Sequence, residues 1–198
     1  MHCLVVRAHP LSESLCASLT ERAVATLRSA GHTVEVEDLY AEGFDAALTE
    51  AERGSYYGTD YAMQEVAPQV KRLLAAEAVV LVFPTWWFGF PAILKGWFDR
   101  VWAPGVAYDH GDAYGPIQAR LPKLHHMLAV TSLGSPWWVD CLVLRRPVAR
   151  VLKTAIVGTC APKCRVQVLS QYKAERLSAA QVERFAKRME RTLGRWPR

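Results

Sequence analysis

The chain has 198 residues, of which 51% are hydrophobic and 22% charged, with a formal net charge of +5. Those proportions describe one globular domain with a sizeable core and exclude a disordered chain. The positive excess falls late, at Arg145, Arg146, Arg150, Lys153, Lys163, Arg165 and beyond Ser178; with no nucleic-acid-binding motif beside it, attraction of a phosphate-bearing cofactor is the economical reading and no nucleic-acid partner is expected.

His2 to Val6 is a short apolar run and the first expected strand. RAHPLSESL follows, then Leu15, Leu19, Ala23 and Leu27 recur at helical spacing, and Gly31 closes that helix. TVEVEDL alternates through Val34 and Val36 as a second strand, completing a right-handed βαβ unit. Tyr40 to Pro68 is an irregular connection with a short helix near Thr49–Arg53, and a helix over about Ala67–Ala76 leads into the most informative stretch of the chain.

That stretch, AVVLVFPTWWFGFPAILKGWFDRVW, spans Ala78 to Trp102. The valine-rich run Ala78–Phe83, stopped by Pro84, is the pattern of a strand buried on both faces. Pro84 to Gly89 forms an aromatic turn, and Pro91 starts a helix whose inward face carries Ile93, Leu94, Trp97, Phe98 and Val101, with Lys95, Asp99 and Arg100 directed elsewhere. The uncharged run from Ala78 to Leu94 raises a membrane span, but it is short for one and two prolines interrupt it, so no span is expected. Trp97 and Phe98 are read as core; Trp86, Trp87 and Phe88, three adjacent large rings, cannot all face one core, so at least one lines a pocket or an interface.

A long Gly-, Pro- and Tyr-rich loop follows Trp102, of a length usually reserved for function. A fourth strand is expected near His125–Thr131, ending in a Thr-Ser-Leu-Gly-Ser turn; Leu142–Thr154 forms a helix that Pro147 starts or kinks; Arg165–Leu169 is the fifth strand. Ser178 caps a final amphipathic helix with a stripe of Val182, Phe185, Met189 and Leu193. The five cysteines are odd in number and no signal-peptide pattern precedes them, so a reducing cytoplasmic location is expected. Cys160 and Cys164 lack the Cys-x-x-Cys spacing and a second pair, so free thiols and no metal site are expected.

Alternating strands and helices give a single α/β domain over residues 1–198: a five-stranded parallel sheet of flavodoxin-like order 2-1-3-4-5 with helices on both faces. In that topology the carboxyl ends of the first, third and fourth strands share one crevice, bringing together HPLSESL, PTWWFGFP and TSLGSP. The first loop opens a helix and suits a phosphate, with Ser12, Ser14 and His9 as further donors; simple N-capping is the competing role for the serines. It lacks the glycines of dinucleotide and P-loop fingerprints. A phosphate on the first loop, a planar ring on the second and hydrogen-bonding backbone at the third describe a flavin mononucleotide site.

FPTWWFGFPAILKGWFDRV resembles, along nearly its whole length, the motif of the NAD(P)H:quinone oxidoreductase family of flavoproteins, the DT-diaphorase type. HPLSESLCASL resembles that family's phosphate loop, and DLYAEGFDAAL its second strand and turn; coverage is about Met1 to Gly134. The resemblance implies that Ser14, Leu15 and Cys16, with His9 beside them, hold the flavin phosphate. It implies that Pro84, Thr85, Trp86, Trp87 and Phe88 carry the ring, with Gly89 allowing close approach, and that Thr131, Ser132 and Gly134 meet its other edge. Tyr108 and His110 match positions that reach the substrate pocket, often across a dimer, and are the candidate catalytic residues. Cys16 replaces a frequent asparagine, and TSLGSPWWVD replaces the Thr-Thr-Gly-Gly turn and the following tyrosine and histidine of the animal enzymes, leaving proton delivery to water, His110 or Tyr108.

The expected activity is ping-pong hydride transfer from NAD(P)H through FMN, with FAD as the alternative, to a quinone or similar planar acceptor, in a homodimer. Three rivals use the same fold: an azo- or nitro-reductase, a flavin-binding regulatory subunit docked on a membrane transport protein, and a non-enzymatic electron carrier. The basic charge opposes the carrier, because flavodoxins are typically acidic.

Overall fold

The computed structural model describes residues 1–58, 60–111 and 115–197. The main sheet contains β1 (His2–Arg7), β2 (Thr33–Asp38), β3 (Ala78–Pro84), β6 (His126–Leu133) and β7 (Arg165–Tyr172), while β4 (Tyr108–Asp109) and β5 (Gln118–Ala119) form a small antiparallel hairpin. The five main strands are parallel in the order β2-β1-β3-β6-β7, which is the expected 2-1-3-4-5. All of β3 is buried, as its unbroken apolar run requires for a central strand covered on both sides.

Successive residues of β1 and β3 supply opposite cores. Cys3, Val5, Val80 and Val82 pack under α1 (Leu15–Ser29) and α7 (Ala179–Leu193), with Leu19, Leu27, Phe185 and Met189. Leu4, Val6, Leu81 and Phe83 pack under α3 (Ala67–Ala75) and α4 (Ala92–Val101), with Leu73, Trp97 and Phe98. α5 (Pro147–Arg150) continues through a π-helical stretch, Val151–Val157, into α6 (Gly158–Cys160), and Leu152 and Val157 join the same core. Arg22 of α1 bridges Glu183 and Glu190, tying α1 to α7. Ser178 and Gln181 form a reciprocal capping box at the start of α7.

Several expectations need correction. Val36 is exposed, whereas Glu37, the next residue of β2, is fully buried and accepts Trp97 Nε1–H at 2.6 Å. Arg100 does not point away from the core; it is 2% exposed. Its Nε donates to both oxygens of Glu52 at 2.9 Å, its other nitrogens donate to the Asp45 carbonyl and to Glu65, and its carbonyl accepts the Tyr61 hydroxyl. This network staples the Tyr40–Pro68 connection, including α2 (Glu50–Ser55), onto α4. Gly96 on α4 is required there: a Cβ would collide with the backbone of Ala46. Pro84 is the last residue of β3, paired with Ser132, and Pro91 caps α4 from outside the helix. β6 and β7 also run further than expected, to Leu133 and Tyr172, which puts Thr131 and Ser132 inside a strand.

Candidate functional site

Parallel strands present their carboxyl ends on one side, so the loops after β1, β3 and β6 gather at the same edge of the sheet. Trp86 to Gly89 is a tight turn closed by two amide–carbonyl bonds, Gly89 N to Trp86 O at 2.9 Å and Trp86 N to Gly89 O at 3.3 Å. Its central residues, Trp87 and Phe88, have φ of 50° and 56°. Both being left-handed is the geometry of a type I′ turn, normally made by Asn-Gly. Two bulky residues there store roughly 1–3 kcal/mol each. Trp87 is fully exposed and Trp86 is 43% exposed, so the surplus aromatic surface expected of this turn does face outward. Beneath it, Phe90 packs between Phe83 and Phe98, ring centroids 5.6 and 5.3 Å apart, which anchors the turn to the core.

The turn is stitched to the end of β6. Thr85 N–H donates to the Ser132 carbonyl at 2.8 Å, and the Thr85 and Thr131 hydroxyls lie 2.7 Å apart. Thr131 is buried, so its side chain serves this stitch. A cleft of about 200 Å³ opens between the two loops, lined by Thr85, Trp87, Phe88, Leu133, Gly134 and Ser135. The Ser135 hydroxyl is shielded from solvent and has no hydrogen-bond partner among the described residues. Gly89 has an ordinary negative φ, and a Cβ there would make only ordinary contact, so the turn itself does not demand glycine.

The first loop has the donor chemistry for an anion. Ser14 is the N-cap of α1; its hydroxyl accepts Ala17 N–H at 3.1 Å and donates to the Leu11 carbonyl, so capping is the role its side chain fills. The amides of Leu15 and Cys16, at the very start of the helix, have no intrahelical acceptor, and the helix dipole favours a negative group before them. His9 Nδ1 lies 3.1 Å from the Leu11 amide nitrogen and 3.3 Å from the Leu11 carbonyl oxygen, which ties the ring to the first loop. Cys16 is buried under the sheet and burial pushes its thiol up to about 12, so a backbone amide, not a thiolate, is what it offers. Arg7, at the end of β1, pairs with Asp38, and its charge acts on Cys16; sequence reading passed it over because it ends an apolar strand.

Tyr108 and His110 do not line the cleft. They join Tyr56 and Tyr57 in an aromatic group, His110 lying 4.7 Å from the Tyr57 ring and 5.4 Å from the Tyr108 ring. Burial raises the Tyr108 hydroxyl well above its ordinary value, and a hydrogen bond with Tyr56 raises it further. The sequence carried no signal for Tyr56 and Tyr57, which lie in the unpatterned connection. A second feature it did not reveal adjoins the cleft. A small cavity of about 10 Å³ is lined by Thr85, Thr131, Leu133, Asp140, Arg146 and Ser170, among others. Asp140 is buried and accepts the Tyr172 hydroxyl at 2.8 Å, and Arg146 N–H donates to the Asp140 carbonyl at 2.7 Å. Arg145 and Arg146 have φ of 56° and 53°. Arg146 precedes Pro147, where the right-handed region is disfavoured, but no such rule covers Arg145. Among the described residues there is no group of His, Cys, Asp and Glu side chains arranged to hold a metal ion, and no helix is long and apolar enough to cross a membrane.

The sequence profile of the flavodoxin-like fold family matches residues 1–193. NAD(P)H dehydrogenase [quinone] 1 of Rattus norvegicus is 31% identical over 207 aligned residues, covering 86% of this chain and 74% of the rat protein. Further curated relatives are matched over 53% to 63% of their own length. Among solved structures, the NAD(P)H:quinone oxidoreductase from Methanothermobacter marburgensis superposes with a TM-score of 0.81 at 26% identity, over 98% of both chains. An FMN-dependent NADH-azoreductase from Bacillus anthracis, in complex with FMN, shares the fold with a TM-score of 0.75 at 18% identity over 98% of both chains. The chain therefore belongs to the NAD(P)H dehydrogenase (quinone) type of oxidoreductase within the flavodoxin-like fold family.

Proposed function

We propose that the chain is a flavin-dependent NAD(P)H:quinone oxidoreductase that takes FMN at the three-loop site. The carrying observation is the strained Trp86–Gly89 turn, which faces Gly134 and Ser135 across one open cleft. A planar ring between two backbone-rich walls, with its phosphate at the start of α1, accounts for the strain and the free helix amides together. A flavin so bound supplies the redox chemistry, accepting a hydride from NAD(P)H and passing it to a second flat acceptor in the same place.

The chain's own part is binding, orientation and electrostatics. Leu15 and Cys16 amides and His9 hold the phosphate; Pro84, Thr85, Trp86, Trp87 and Phe88, with Gly89, carry the ring, and Ser132 and Gly134 meet its opposite edge. The Thr85–Thr131 stitch fixes the spacing between the walls. Backbone amides of the two loops favour negative charge on the occupant. Tyr108 and His110 serve the acceptor from a second copy of the chain, a reading supported by their absence from the cleft of their own copy and by the exposure of His110. The five free cysteines suit a reducing, cytoplasmic setting.

The test is an absorbance spectrum of the purified protein, followed by NAD(P)H addition with and without a simple quinone. A flavin spectrum with quinone-dependent NAD(P)H loss is the expected outcome. Turnover of an azo dye in preference to the quinone transfers the reading to an azoreductase. Flavin without turnover transfers it to a regulatory subunit or carrier. No flavin uptake from excess FMN or FAD defeats the site.

A further inference from the structure

We infer that Arg146 is the cation that sets the electron affinity of the bound cofactor, acting from the small cavity beside the cleft. Arg146 has this role only if the cleft holds a flavin, as proposed above. Four observations converge on it. Arg146 lines the cavity whose walls include Thr85 and Leu133, and those two residues also line the cleft, so the two spaces share a partition. Its backbone is left-handed, as is that of Arg145, and its amide is tethered to the Asp140 carbonyl. Its guanidinium has no ion pair and no hydrogen bond among the described residues, although buried Asp140 lines the same cavity; the Asp140 carboxylate is instead held by the Tyr172 hydroxyl. It also stands at the start of the helix formed by α5 and its continuation, the end where a positive charge opposes the helix dipole. Arg146 is exposed, so water solvates its charge, and a left-handed cation at the positive end of a helix gains from an anion arriving next door.

Such an anion appears during the proposed reaction. Transfer of a hydride from NAD(P)H moves two electrons and one proton together, leaving NAD(P)⁺ as the oxidised product and one additional negative charge on the receiving group. A guanidinium lining the adjoining cavity favours that form over the neutral one, and so raises the potential of the couple. The sequence resemblance left this position open, because the tyrosine and histidine of the animal enzymes are missing after Gly134. Arg146 is here a positioning residue for charge, and it need not touch the substrate.

The experiment measures the midpoint potential of FMN on the purified protein by equilibration with a reference dye, alongside thermal unfolding of the flavin-free chain. Arg146→Gln is expected to weaken binding of the reduced relative to the oxidised form about tenfold, which for a two-electron couple lowers the potential by about 30 mV. The shift shrinks at 1 M salt, because the guanidinium is exposed to solvent on its other side. Arg145→Gln, equally strained but absent from the cavity lining, leaves the potential unchanged. Arg146→Gly separates charge from structure: it relieves the left-handed strain and raises the melting temperature, yet lowers the potential as Gln does. It also carries the test if the Gln variant fails to fold. Arg146 variants that bind FMN with the wild-type potential overturn the inference. A wild-type chain that takes up no flavin overturns the parent reading, and this one with it, and is told apart by the missing flavin spectrum.

Discussion

Glu37 shows how one residue can work against the fold at neutral pH. It is fully buried between β2 and α4, and desolvation lifts its carboxyl from 4.5 to about 6, even though Arg72 and the Trp97 indole both pull the other way. A carboxyl with a higher pKa folded than unfolded binds protons more tightly in the native state. Its contribution is therefore most favourable below about pH 4.5 and is lost as the pH rises through 6. Above that the charged form costs about 2 kcal/mol. Glu37→Gln keeps the acceptor for Trp97 and mimics the protonated form. It is expected to melt higher than wild type at pH 7.5, with a gap that closes as the pH falls toward 4.5. A gap that is constant with pH would place the effect elsewhere. Arg100 is the opposite case. Its guanidinium satisfies Glu52 and the Asp45 carbonyl at once, so Arg100→Met strands a buried carboxylate, and urea titration should show a loss of about 3–5 kcal/mol. Lysine cannot reproduce the fork and should recover only part of it.

Among the elements, the 86–89 turn pits stability against function. Trp87 packs against nothing in its own chain, being fully exposed, and its φ of 50° is one glycine accepts freely. Trp87→Gly is expected to stabilise the chain by up to about 1 kcal/mol, strain relief outweighing the added freedom of the unfolded state. The same change should raise KM for the quinone and weaken flavin binding, read by melting and steady-state kinetics on one preparation. A variant with unchanged kinetics would show the tryptophan to be idle. This turn also marks how far sequence reading reaches. The Ala78–Phe83 run and the α1 and α7 stripes were legible because burial on a periodic element leaves a periodic trace, and the Ser178 cap because a serine ahead of such a stripe starts a helix. Arg100 stands one turn from Trp97, on the buried face, and was misplaced because its charge outweighed its spacing. Its partners Glu52 and Glu65 come from a connection with no pattern to read. The β4–β5 hairpin has strands of two residues, too short to show alternation. Asp140 and Arg146 meet near the cleft only through a π-helical turn, Val139–Val143, whose backbone path sequence periodicity does not encode.

At the scale of the whole molecule, one group of exposed apolar residues stands apart from those scattered singly over the surface. Trp137, Trp138, Leu142, Val143 and Leu144 follow one another along the segment leaving the cleft, with Trp86 and Trp87 on the facing turn. A run of exposed apolar residues of this kind suits an interaction face, and under the reading proposed above a second copy covers it and brings Tyr108 and His110 to the site. Light scattering at micromolar concentration should give a mass of two chains, and Trp137→Ser with Trp138→Ser should shift it toward one. A sharper test mixes two crippled chains. Gly134→Val narrows the cleft of its own copy but leaves Tyr108 and His110 intact; Tyr108→Phe with His110→Ala does the reverse. If each site draws on both copies, random exchange restores one intact site in every mixed dimer, roughly a quarter of the wild-type rate in an equal mixture. If each chain holds its whole site, mixing gives only the average of the two residual activities, and the dimer, even if present, has no part in the chemistry.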